Sequence, residues 1–297
     1  MLMQHRLPNV RGEYKFSFPL KDLSYFQVGG SCDVFYTPAD EEDLCYFLMN
    51  KPEDLPITIL GNISNTLVLD GGVEGCVINL MNSFNKIKFL EDKVKVGAGT
   101  MLPKFIRECV NNCVSSCEQL FCIPGTIGGA VAMNAGIPGF ELSDVLISVD
   151  CLDMAGQSIQ IARKDLDMRY RRGNLPKGLI ITSAIFAASH NPQEDLESII
   201  KEIAEKRRRT QPINQATCGS TFKNPTGHKA WELIKRVGCS SLSVGGAFVS
   251  DVHCNFLINK GNATANDFVK LIEIIKEKVH KETGVLLQEE IIIIGRK

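Results

Sequence analysis

The chain has 297 residues, 44% hydrophobic and 23% charged, an ordinary composition for folded protein that leaves room for two or three domains with cores of their own. A net charge of −1 excludes the Lys and Arg excess with which nucleic-acid binders displace counterions, and no apolar run reaches the length of a membrane span. The N-terminal MLMQHRLPNVRGEYKF has no signal-type apolar core, so the expected setting is the cytoplasm, with the 11 cysteines as free thiols.

In chain order, the doublet Gly29-Gly30 precedes a first strand-like run, Cys32–Tyr36. Thr37-Pro38-Ala39-Asp40 then reads as a helix start, with Thr37 as cap, Pro38 in the first position, and Leu44, Phe47 and Leu48 on the buried face. Ile57–Leu60 reads as a strand, Gly61-Asn62-Ile63-Ser64-Asn65 as a turn and Thr66–Leu69 as a second strand. The hydroxyl, amide and backbone donors at that turn suit a pyrophosphate, and they equally suit a turn with no ligand.

Short strands fill Cys76–Val96, and Val94–Thr100 leads into a helix that places Leu102, Phe105, Ile106, Cys109, Val110 and Cys113 on one stripe. Gly97-Ala98-Gly99 has the outline of a dinucleotide loop, but Leu102 takes the third glycine position and no βαβ unit surrounds it. A Rossmann domain is therefore rejected. Cys109, Cys113, Cys117 and Cys122 raise a metal or iron–sulfur site, yet two of the four lie on the apolar stripe, so they read as small core residues and no metal is expected.

Cys122–Gly136, CIPGTIGGAVAMNAG, is the stretch with the least side-chain bulk. Gly125, Gly128, Gly129 and Gly136 let a ligand approach the main chain closely, although a tight turn between buried elements would use the same residues. It is no phosphate-binding loop of the GxxxxGK[ST] kind, because no Lys follows Gly128-Gly129.

Strands near Val145–Leu152, Ser158–Ile161 and Leu179–Ala187 complete a β-rich middle region. Asn191-Pro192-Gln193-Glu194 opens a helix with Leu196, Ile199, Ile200, Ile203 and Ala204 as its apolar stripe, and the run Lys206–Arg209 suits its C-terminal dipole or an anion nearby. Gln211-Pro212 breaks the chain at a domain boundary. Beyond it, Thr264 caps a long helix with Asp267 three residues on, Phe268, Leu271, Ile272, Ile275 and Val279 are buried, and Gly284 stops it. Val285–Ile294 reads as a strand whose alternation sends Glu289 and Glu290 to opposite faces.

Seven stretches carry a resemblance by their order and spacing: Val28-Gly29-Gly30; Gly61–Asn65; Ile123–Gly129 with Asn134 and Gly136; Tyr170-Arg171; Gly219-Ser220; Gly245-Gly246-Ala247 with His253; and Glu290 ahead of Ile294-Gly295. Together they resemble the UDP-N-acetylenolpyruvoylglucosamine reductases, in the shorter form without a long insertion in the last domain. The fold implied is α+β: a two-part FAD-binding module of the vanillyl-alcohol-oxidase kind, 1–75 and 76–205, and a smaller C-terminal substrate-binding domain, 206–297.

The resemblance implies non-covalent FAD, NADPH as hydride donor and a UDP-sugar substrate whose enolpyruvyl group is reduced. FAD would lie against Gly29, Gly30, Gly61, Asn62, Ser64, Asn65, Pro124, Gly125, Thr126, Gly128, Gly129, Asn134 and Gly136. Arg171 and Glu290 match positions that polarise the substrate carboxylate, Ser220 matches the proton donor, and Tyr170, Arg207, Lys223, Asn224 and His253 match substrate contacts. A monomer is favoured over an oligomer. Ile63, Gly173 and Glu289 depart from the usual Gly, Ser and Pro. Two rival readings are a sugar or alcohol oxidase on the same scaffold and a silent relative that only binds a UDP-sugar; the intact Ser220, Arg171 and Glu290 weigh against both.

Overall fold

Apolar and β-branched content makes Leu146–Leu152 and Ile180–Ala187 central strands, and in the computed structural model, which describes residues 4–297, they pair antiparallel. Ser158–Ala162 adds on one side, and Lys93–Gly97 followed by Ile87–Phe89 on the other, giving a five-stranded antiparallel sheet. A second sheet runs in the order Glu13–Pro19, Ser31–Thr37, Val73–Ile78, Ile57–Ile59, its last pair parallel.

The chain divides into two compact units that do not follow sequence order. Of the described residues, the first holds those up to 16, 34–61 and 75–205, and the second 17–33, 62–74 and 206–297. Ile57–Ile59 and Thr66–Val68, which flank the Gly61–Asn65 turn, accordingly pair with different partners, Val73–Ile78 and Ile292–Ile294.

In the first unit, helix α1 covers Glu41–Asn50 and α2 covers Leu102–Asn111. The cap of α1 is Asp40, whose carboxylate accepts from Asp43 N–H at 3.0 Å; the expected cap, Thr37, lies a full turn too early. The reason is tertiary. Asp43 is 2% exposed and accepts from the Arg11, Gly12 and Ala39 N–H groups and from Tyr36 Oη, at 2.7 to 3.0 Å, which fixes where the helix begins.

Burial opposes the Asp43 charge, but the N–H and hydroxyl donors outweigh it and hold its pKa below the ordinary 3.8. The unfolded chain therefore binds the extra proton first as pH falls. This stabilisation is complete above the ordinary carboxylate range and is lost as pH drops through the folded value. Asp43→Asn, which turns one acceptor oxygen into a donor facing donors, is expected to cost about 2–3 kcal/mol at neutral pH and less in acid; thermal unfolding at pH 7 and at pH 3 checks both statements.

Leu102, Phe105, Ile106, Cys109 and Val110 of α2 are buried as the stripe predicts, and Phe105 packs on Phe186 of the sheet with ring centroids 5.5 Å apart. Burial pushes the Cys109 thiol up to about 12, so it stays neutral among apolar neighbours. Cys113 leaves the stripe: it follows the helix with φ 57°. Among the described residues no cluster of His, Cys, Asp or Glu is arranged to hold a metal.

Helix α3, Ile127–Ala132, lies within the glycine-rich stretch, and α4, Gln193–Thr210, starts just after Pro192 and carries the basic run in its last turn. Its apolar stripe is narrower than predicted. Only Leu196 and Ile200 are buried, and Ile199 is 36% exposed.

The second unit is built on α5, Ala230–Arg236, and α6, Ala265–Thr283. Thr264 and Asp267 form the capping box and Gly284 closes α6 at φ 72°, as the sequence predicts. Phe268 stacks on Phe26 at 4.3 Å, and Ser243–Val244, Ala247–Val249 and Leu257–Asn259 form a three-stranded antiparallel sheet. The expected strand over 285–294 is only Ile292–Ile294, because its parallel partner Thr66–Val68 offers three residues of ladder. No helix among the described residues is long and apolar enough to cross a membrane.

Candidate active site

The glycine-rich stretch is zipped onto the turn before α2. Leu102 N–H donates to Gly125 O at 2.8 Å, Ile127 N–H to Thr100 O at 2.9 Å and Gly128 N–H to Ala98 O at 2.9 Å, while Thr126 caps α3 by accepting from Gly129 N–H. The amides of 127–129 are thus committed to protein groups. What the stretch offers a ligand is surface without side chains rather than a set of donors.

That surface walls a cleft of about 180 Å³ within the first unit, lined by Gly61, Ala98, Gly99, Thr126, Gly128 and Gly129 together with Leu80, Met81, Ala132, Leu175 and Leu179–Ile181. Its wall is mostly apolar, which suits a flat aromatic ring. The two glycines of α3 have separate reasons to be glycine. A Cβ on Gly128 would sit 3.2 Å from Ala98 Cβ, whereas one on Gly129 would meet only Thr126 Oγ1, at 3.5 Å, on the wall of the cleft. Protein packing leaves room at Gly129, and a side chain there would take cleft space. Gly99, weighed in the sequence only as part of a dinucleotide loop, lines the same cleft; a β-strand running into Gly-Ala-Gly beside the Gly125–Gly129 run was the signal available.

Tyr170-Arg171 sits in a tight turn closed by Arg169 and Arg172, whose N–H and C=O groups bond reciprocally at 2.9 Å. Arg171 takes φ 56° and its guanidinium lies over the Tyr170 ring at 4.9 Å. The turn is tied to the end of α3 twice: Gly173 N–H donates to Ala132 O at 2.9 Å, and Asn134 Nδ2 donates to Arg169 O at 3.1 Å. Asn134, fully buried, also holds Glu141 and Ser143 N–H, so its side chain is spent on protein partners. Gly173 follows from the same contact, since a Cβ would lie 2.2 Å from Val131 O. Gly136, Pro124 and Gly125 belong to this unit as well.

In the second unit, Ser220-Thr221-Phe222-Lys223 runs between two segments. Ser220 pairs with Phe256 on one side and Phe222 with Glu289 on the other. Glu290 N–H donates to Thr221 O at 2.8 Å and Lys223 N–H to Gln288 O at 2.9 Å, so Ser220 and Glu290 are brought onto adjacent rungs. Glu289 forms an ion pair with Lys276 of α6 at 2.7 Å. Asn65 Nδ2 donates to Glu290 O at 3.1 Å and Asn62 Nδ2 to Tyr25 Oη at 3.3 Å. Ile63 keeps the left-handed backbone of the usual glycine, with φ 50°, and its side chain is 3% exposed. Burying it contributes about 1.5–3 kcal/mol, which offsets a left-handed strain of about 1–2 kcal/mol.

The other predicted contacts are dispersed within this unit. His253 packs its ring edge-on against Phe256 at 4.8 Å, and burial lowers its pKa, favouring the neutral imidazole. Asn224 Oδ1 accepts Ala230 N–H at the start of α5, and Arg207 Nε donates to Gln211 at the end of α4. Gly30 N–H donates to Leu69 O next to Gly29, and Ser64 lies in the turn before Thr66.

The family profile described as "FAD binding domain" matches residues 32–162, the part that holds the cleft. The glycine-walled cleft and this match define a flavin-binding protein of mixed α+β fold. The profile described as "UDP-N-acetylenolpyruvoylglucosamine reductase, C-terminal domain" matches residues 211–294. The UDP-N-acetylenolpyruvoylglucosamine reductase of Rickettsia massiliae is 43% identical over 290 residues, covering 98% of each chain. That of Orientia tsutsugamushi is 44% identical over 295 residues, covering 98% of this chain and 97% of its own. The crystal structure of the Thermus caldophilus reductase superposes with a TM-score of 0.83 at 33% identity, over 97% of this chain and 100% of that one. The chain belongs to the UDP-N-acetylenolpyruvoylglucosamine reductase family.

Proposed function

We propose that this chain reduces the enolpyruvyl group of UDP-N-acetylglucosamine enolpyruvate to give UDP-N-acetylmuramate in peptidoglycan precursor synthesis, as a cytoplasmic monomer. The observation that carries the reading is the end-to-end relation to the family, 43% identity over 98% of both chains. Bound FAD would supply the hydride-transfer chemistry between NADPH and the substrate double bond.

Gly61, Thr126, Gly128 and Gly129 would hold the flavin against the mostly apolar wall of the cleft. Hydride arrival at C3 leaves negative charge at C2 that spreads into the neighbouring carboxylate. Arg171 and Glu290 are assigned to that carboxylate and Ser220 Oγ to proton delivery at C2. Tyr170, Arg207, Lys223, Asn224 and His253 are assigned to the substrate, and Gly29, Gly30, Asn62, Ser64, Asn65, Pro124, Gly125, Asn134 and Gly136 to shaping the cofactor-binding segments. The functional division into 1–75, 76–205 and 206–297 is part of the same proposal.

The test is optical. Purified protein should show two visible flavin bands that bleach with NADPH under anaerobic conditions, return with the enolpyruvyl UDP-sugar, and leave the polypeptide on acid precipitation. A colourless protein that FAD cannot reconstitute would sink the reading. Gly129→Val should weaken FAD retention tenfold or more, equivalent to about 1.4 kcal/mol, with the apoprotein melting near the parental temperature. Unchanged flavin content in this variant would remove Gly129 from the cofactor surface.

A further inference from the structure

Phe222 is 1% exposed, and its main-chain N–H and C=O face away from the Glu289 rung, towards the segment that carries Asn255. Both groups need partners, because an unpaired buried main-chain group costs about as much as a lost hydrogen bond. Asn255 supplies them. Its Oδ1 accepts Phe222 N–H at 2.9 Å and its Nδ2 donates to Phe222 O at 2.8 Å, while its own carbonyl accepts Thr221 N–H at 2.7 Å. The residue is 4% exposed, and its amide bonds Phe222 as the main chain of a neighbouring strand would.

Three main-chain bonds from the two residues after Ser220 thus end on one asparagine, and on the opposite side Thr221 O accepts Glu290 N–H. Ser220 itself pairs with Phe256, the residue after Asn255. We propose that Asn255 is a positioning residue that sets the Ser220 hydroxyl, in register with Glu290, for proton delivery to the substrate. The inference rests on the reading of Ser220 as proton donor. No signal in the sequence marks it, since an isolated Asn before Phe-Leu-Ile reads as a turn residue ahead of a strand.

Only a side chain with one acceptor and one donor at amide spacing matches the two Phe222 groups. Asn255→Asp keeps the acceptor and the shape, but sets an anionic oxygen against Phe222 O in place of a donor. A displacement of a reacting group by about 1 Å costs on the order of 10²-fold in rate. In stopped-flow absorbance with the holoenzyme, Asn255→Asp should keep its flavin and its rate of reduction by NADPH, bind the UDP-sugar with parental affinity, and reoxidise with that substrate about 10²-fold more slowly. Asn255→Ser, which retains a smaller donor and acceptor, should recover part of the loss. In a Ser220→Ala background, Asn255→Asp should slow reoxidation no further, because the group it positions is gone.

Parental reoxidation in Asn255→Asp, additive losses in the double variant, or equal slowing of both half-reactions would each overturn the proposal. Loss of flavin and of the cooperative thermal transition in both single variants would overturn it too, by making Asn255 a residue of the fold alone. A parent protein that fails to reduce the enolpyruvyl sugar would instead refute the functional reading itself.

Discussion

Ser220→Ala should leave flavin reduction by NADPH near the parental rate while slowing reoxidation by the enolpyruvyl sugar about 10²–10⁴-fold, the contribution of a positioned general acid. A serine hydroxyl is a weak acid, and the proposed role is feasible because the C2 carbanion it would meet is strongly basic. The substitution removes one oxygen from a half-buried position, and the neighbouring main-chain bonds of Thr221 and Phe222 stay in place, so substrate affinity and melting temperature should hold. Ser220→Cys, of similar reach and with a more acidic proton, should retain more activity than Ala. Anaerobic stopped-flow absorbance follows both half-reactions. Parental reoxidation in the Ala variant, or a defect confined to the NADPH step, would remove Ser220 from the chemistry.

Arg171→Ala is expected to lower turnover about 10²–10³-fold, the scale of losing a donor that meets charge developing in the transition state. The loss of rate should exceed any loss of stability, because the turn itself is closed by main-chain bonds of Arg169 and Arg172 and anchored by Gly173 and Asn134. Arg171→Lys should recover only part of the rate, since an ammonium cannot present a planar fork to a carboxylate. Because Arg171 holds φ 56°, Arg171→Gly should relieve about 1–2 kcal/mol of left-handed strain and still be as inactive as Ala. Parallel losses of rate and melting temperature along this series would mark Arg171 as structural. By the proposed assignment Glu290→Gln should lower turnover, whereas Glu289→Gln should disturb only the ion pair with Lys276.

The sequence alone determined the features set by neighbours within one turn or one pleat. The Thr264–Asp267 box and the Gly284 stop of α6, the buried stripe of α2 and the three long strands of the main sheet lie where the pattern put them, because capping and amphipathic burial act over three or four residues. The ordered motifs around Gly128, Arg171, Ser220 and Glu290 also carried the family. Tertiary structure decided the rest. The local pattern pointed to Thr37 as the cap of α1, and Asp40 takes that place because Arg11, Gly12 and Tyr36 claim Asp43. A run of apolar residues over 285–294 could not say that only Ile292–Ile294 finds a ladder, nor could glycine content say that the amides of 127–129 are already paired. Asn255 has its meaning only through Phe222, more than thirty positions away along the chain at a separation of 33. Pairing between distant segments depends on which buried main-chain groups lack a partner, and that is fixed only when the chain has folded.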